Sequence, residues 1–112
     1  MEVKQVGSRT IAPEVINSIA RLTTLSVSGV TRMAPVKNTY EAMVVKPEYD
    51  GVKVVVKEDS VYIDVFVILT SEENVRIVSK NVQEKITRAI SEMVGMEVAS
   101  VNIHIADIDY EV

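Results

Sequence analysis

The chain carries a single histidine, His104, inside the alternating stretch Val101-Asn102-Ile103-His104-Ile105. There it shares one face with Asn102 and Ala106, opposite Val101, Ile103 and Ile105. Asp64 holds the equivalent polar position in a second alternating stretch, Val61 to Leu69. If those two segments lie side by side, the carboxylate can orient the imidazole, an arrangement that general-base catalysis uses. The catalytic reading stops there. The chain has no cysteine, no serine obviously placed as a nucleophile, and no glycine-rich loop to form an oxyanion hole. His104 therefore reads as a surface or interface histidine, and no catalytic residue is assigned. One histidine with scattered carboxylates also lacks the clustered ligand spacing of a zinc site. Glu58-Asp59 and Glu72-Glu73 fall at an expected turn and helix start, where solvated charge is ordinary. Gly7, Gly29, Gly51 and Gly95 stand apart, so no phosphate-cradling loop is present. No metal and no cofactor is expected.

Charge and composition narrow the partners. The 112 residues carry a formal net charge of −4, and the twelve Lys and Arg are scattered without a run. Nucleic-acid binding draws on clustered basic residues, and a KH-type domain needs a GXXG loop with a basic groove, so no nucleic acid is expected. No stretch approaches 18 consecutive apolar residues, which excludes a spanning helix. The opening Met1-Glu2-Val3-Lys4-Gln5 lacks a signal-peptide pattern, and a cytoplasmic location is expected. The length suits one domain, 1–112, with a core built mainly from Val, Ile and Ala, residues of which the branched pair pack well on a pleated surface.

The elements that must position Asp64 and His104 are legible from periodicity. After a loosely held arm ending near Ile11, Pro13 and Glu14 open a helix to about Leu25, with Val15, Ile16, Ile19, Ala20 and Leu22 as its apolar stripe. Ser28-Gly29 breaks it, and a short strand follows from Val30 to Met33. Residues 34–51 contain Pro35, Pro47 and Asp50-Gly51; Asn38 and Glu41 fit a capping box for one short helix, with an irregular loop as the alternative. Val52–Lys57, a turn at Glu58-Asp59 and Val61–Leu69 form a β-hairpin. Thr70 and Glu73 match a capping box opening the longest helix, along which Val75, Val78, Val82, Ile86, Ala89, Ile90 and Met93 keep helical spacing. Arg76, Lys80, Glu84, Arg88 and Glu92 form its solvated side, and Gly95 ends it. A final strand runs from Val98 to about Ile108.

The fold expected is α+β, a small mixed β-sheet with two main helices packed on one face, in the order α-β-β-β-α-β. The last strand reaches the sheet through a crossover, which makes it parallel to the hairpin's second strand. The helices cover Val61, Ile63, Val65 and Val101, Ile103, Ile105. That leaves an outer face carrying Tyr62, Asp64, Phe66, Ile68, Asn102 and His104 beside Lys53 and Val55, a half-apolar surface suited to a protein partner unless residues 34–51 cover it.

The phrases Val61-Tyr62-Ile63-Asp64-Val65, Asn81-Val82-Gln83-Glu84 and Met93-Val94-Gly95-Met96-Glu97-Val98 into Val101-Asn102-Ile103-His104-Ile105 resemble the alkaline shock, or envelope stress response, family. Ile11-Ala12-Pro13-Glu14-Val15-Ile16 through Gly29-Val30 is similar to that family's opening helix and its Gly-Val exit. The resemblance spans nearly the whole chain except residues 34–51. One departure is Thr70-Ser71-Glu72-Glu73, where the family pattern leads through a Tyr-Gly pair. The resemblance implies a cytoplasmic stress response protein without enzymatic activity. It would gather at the inner face of the cell membrane through a membrane-anchored envelope partner, with a homo-oligomer as a further expectation. It also leaves a second role open, a regulatory subunit that binds a soluble enzyme of lipid-precursor synthesis, as some family members are linked to fatty-acid synthesis. A small-molecule-binding domain of ferredoxin-like topology is a third class.

Overall fold

A computed structural model describes residues 11–36, 51–71 and 74–110. The arm expected before Ile11 and the short helix expected after Asn38 lie outside the described residues. The elements run α1 (Pro13–Leu25), β1 (Val30–Met33), β2 (Val52–Lys57), β3 (Ser60–Thr70), α2 (Val75–Met93) and β4 (Glu97–Asp109). This is the expected α+β order.

The eleven-residue β3 organises the sheet. Along one edge it pairs in parallel with β4, from Ser60 opposite Glu97 to Thr70 opposite Asp109. Along the other edge two antiparallel partners lie end to end: β2 against Ser60 to Val65, and β1 against Val67 to Leu69. Phe66 sits at the junction. Its N–H donates to the Gly51 carbonyl at 2.7 Å, and its own carbonyl accepts from the Ala34 N–H at 2.8 Å. The chain therefore leaves the sheet beside Phe66 after β1 and re-enters beside Phe66 before β2.

Alternation in β3 separates two faces. Val61, Ile63, Val65, Val67 and Leu69 are fully buried under both helices. Ile16 and Ala20 come from α1, and Val78, Val82, Ile86 and Ile90 from α2. Asn17 ties α1 to the sheet, its Nδ2 donating to the Val52 carbonyl at 3.0 Å. The hairpin turns through Glu58, whose φ of 56° is the left-handed conformation a two-residue connection requires at its first position.

Three expectations at the helices need correction. The N-cap of α2 is Asn74, whose side chain accepts from the Ile77 N–H at 3.1 Å. Thr70 does not cap the helix, because it is the last residue of β3 and its N–H is committed to the Gly29 carbonyl at 2.9 Å. Glu73 lies outside the described residues. On α1, Val15 and Leu22 are exposed, and the buried line runs instead through Ile16, Asn17, Ala20 and Thr24. On α2, Val75 and Met93 are exposed at the two ends, where the helix outruns the core beneath it. The expected stop holds: Gly95 at φ 77° follows the C-cap Val94, and its N–H reaches the Ile90 and Ser91 carbonyls.

Asn74→Ala is expected to lower stability by about 1 kcal/mol, the usual worth of an Asn N-cap. Thr70→Val leaves stability within about 0.5 kcal/mol. Denaturant midpoints at unchanged slope measure both, and the opposite ranking would return the cap to Thr70.

Candidate interaction face

The face of the sheet away from the helices is built by the even-numbered residues of β3 and by Asn102, His104 and Ala106 of β4. The parallel register sets Asp64 beside Asn102 and Phe66 beside His104. Asp64 Oδ1 accepts from Asn102 Nδ2 at 3.2 Å and lies 3.0 Å from His104 Nε2. A carboxylate at that distance accepts a hydrogen carried on Nε2. The imidazole is held in its plane as well, stacked on the Phe66 ring with centroids 4.4 Å apart and the planes 12° from parallel. Lys53 of β2 lies opposite Asp64 on the other edge of β3.

Phe66 is not an exposed aromatic. It is only 8% accessible, and with Ala34 and Val36 it forms a second, smaller apolar cluster flanked by Ile68 and Ala106. Ala34 and Val36, just after β1, fold onto this face and cover Phe66. β4 contributes through an irregularity: Val67 pairs with Ile105 and Ile68 with Asp107. Ala106 is thus the unpaired residue of a bulge, and it packs at the Phe66 cluster. Arg32 of β1 reaches across β3 to Asp109, Nη1 to Oδ2, at 3.0 Å.

The six residues singled out from sequence therefore separate. Asp64, Asn102 and His104 form one hydrogen-bonded group, with Phe66 as the floor on which His104 rests. Ile68 belongs to the covered apolar bed. Tyr62 stands toward the open end, across from Val55 and with Lys57 Nζ 5.9 Å from its ring centroid. Of residues 34–51, named from sequence as an alternative cover for this face, Ala34 and Val36 supply it over Phe66. Their only signal is that two apolar residues flank Pro35, which reads as a chain break and says nothing about where the chain turns.

Chemically, the group presents an oriented imidazole edge, a carboxylate and an amide around an apolar floor. No hydroxyl is hydrogen-bonded to the imidazole among the described residues, and no three acidic or histidine side chains there gather as metal ligands. No helix among them is long and apolar enough to cross a membrane.

Comparison with known proteins gives three findings. The profile of the alkaline shock protein 23 family, described by a cell envelope-related function, matches residues 1–110. The chain is 31% identical over 115 residues to the uncharacterised protein YqhY of Bacillus subtilis strain 168, covering 98% of this chain and 83% of that one. YloU of the same organism is 27% identical over 103 residues, covering 88% and 86%. Among solved structures, a variant of the MamM CTD superposes with a TM-score of 0.52 at 12% identity, covering 85% of this chain and 94% of that one. At that identity the likeness is one of fold alone.

Proposed function

The chain belongs to the alkaline shock protein 23 family, whose function is cell envelope-related, and we propose that it acts there by protein–protein contact, as a self-associating adaptor recruited by a membrane-anchored partner. The observation that carries this reading is the outer sheet face. Its polar groups are pre-oriented by one another, with Asp64 bridging Asn102 and His104 and Phe66 holding the imidazole flat. Pre-organised polar groups beside accessible apolar surface lose little freedom on docking, which favours binding. Tyr62, 39% exposed at the open end, supplies an aromatic of the type enriched at interface centres.

A photoreactive residue at position 62 tests the reading in cells. The expected outcome is a cross-link to one membrane-anchored protein, lost in Asp64→Arg and kept in Glu84→Arg on the far side of α2. Cross-links confined to a soluble enzyme would move the function to the regulatory alternative, and none at all would remove this face as a docking site.

A further inference from the structure

Helix α1 has more apolar surface than the core uses. Its buried line is Ile16, Ala20 and Thr24. A second line, Val15, Ser18, Leu22 and Leu25, recurs at spacings of three, four and three, the interval at which one helix packs along another. Val15 is 49% exposed, Leu22 59% and Leu25 38%. The helix carries only two charged residues, Glu14 and Arg21, so little charge stands against covering this second apolar line.

We infer that α1 is the self-association face, and that it packs antiparallel against α1 of a second copy. A two-fold axis beside Ser18 puts the small hydroxymethyl side chain at the crossing point, where two helices approach most closely. Val15 of each copy then meets Leu22 of the other, so the contact is self-complementary, as a two-fold interface must be. The charges agree with this direction. Glu14 and Arg21 lie seven residues apart, about two turns, on the same flank of the stripe. The antiparallel arrangement sets Glu14 of one helix beside Arg21 of the other, twice over. A parallel two-fold pairing carries this flank to opposite sides of the contact, so Glu14 and Arg21 of the two copies would not meet. Neither side chain has an ion pair among the described residues, and Arg21 Nε is buried without a hydrogen-bond partner. The inference rests on the self-associating part of the adaptor reading and gives it a surface separate from the outer sheet face.

Sedimentation equilibrium of the full chain across the micromolar range tests it. A dimer is expected for the natural sequence, and a monomer with unchanged circular dichroism for Leu22→Glu. Glu14→Arg and Arg21→Glu are each expected to weaken the dimer about tenfold, and the double reversal to restore it, since the coupling between two contacting charges survives their exchange. A dimer indifferent to Leu22→Glu, or a double reversal weaker than both singles, would overturn the assignment of α1 while leaving self-association intact. A monomeric natural sequence would overturn both. If that monomer lost the position-62 cross-link in Leu22→Glu, the stripe would belong to the envelope partner. Loss of the cross-link at Asp64→Arg with the dimer unchanged supports both surfaces, and absence of any cross-link beside a charge-reversible dimer leaves the α1 assignment standing alone.

Discussion

Ile63→Ala is expected to remove about 2–5 kcal/mol of folding stability, the range for truncating a fully buried isoleucine. Ile63 is fully buried at the middle of β3, with Val54 paired on one side and Val101 on the other. Both helices close over the same face. Neighbours on every side leave the cavity no route to collapse, which places the cost toward the upper end of the range. Against a total of about 5–15 kcal/mol for a small domain, this is a large fraction, and thermal denaturation should show a midpoint lower by more than about 10 °C. Ile77→Ala supplies the contrast. Ile77 is 58% exposed on α2, so the same change of atoms should stay within about 0.5 kcal/mol. Similar losses at the two sites would mean that the Val61-to-Leu69 face is not the core.

Gly51→Ala is the second large effect and combines two costs. The residue holds φ at +87°, and a Cβ built there would lie 2.7 Å from Met33 Cβ and 3.0 Å from the Ala34 carbonyl oxygen. The left-handed conformation alone costs an alanine about 1–2 kcal/mol. The collision adds to this: the Met33 Cε tip, also 3.0 Å away, can swing aside, but the Met33 stem and the Ala34 backbone oxygen cannot. Relief requires the end of β1 and the start of β2 to separate where both bond to Phe66. Gly95→Ala calibrates the conformational cost by itself, because Gly95 has φ +77° but is exposed beyond the end of α2. The expected result is a loss of about 2–4 kcal/mol at Gly51 and about 1 kcal/mol at Gly95. Moving Ala34 also loosens the cover over Phe66, so the ring-current shifts of His104 protons should change in Gly51→Ala and not in Gly95→Ala. Equal losses at the two glycines would mean that the strand junction is slack.

The same junction explains why only part of the candidate site was legible in advance. The placing of Asp64 and His104 on one face followed from two alternating stretches and the rule that a strand–helix–strand crossover sets its strands parallel. Their alternation placed both on the outer face, and the register brought them to 3.0 Å. The burial of Phe66 did not follow, because its cover comes from Ala34 and Val36, two residues whose direction is set by how the chain leaves β1. The apolar stripe of α1 failed for a related reason. Val15, Ile16, Ile19, Ala20 and Leu22 wrap so far around the helix that spacing alone cannot say which side faces the sheet. The hydrogen bond from Asn17 to Val52 settles the rotation by pulling the flank that carries Asn17 toward β2 and leaving Val15 and Leu22 outside. The α2 cap differed because β3 runs on to Thr70, held by Gly29, and the helix starts only after Asn74.

The catalytic possibility that first drew attention to His104 and Asp64 thus becomes a question of placement. By itself the sequence determined the element order, the two faces of β3 and the stop at Gly95, and it put Asp64 and His104 on the same outer face. Each of these rests on local periodicity or on the conformational freedom of one residue, which act before distant segments meet. Only the tertiary structure decided which side of α1 is buried, that β1 and β2 share an edge at Phe66, and how much of the outer face stays open. Those depend on contacts between segments far apart in the chain, and an apolar residue is attracted equally by any apolar surface until backbone geometry selects one.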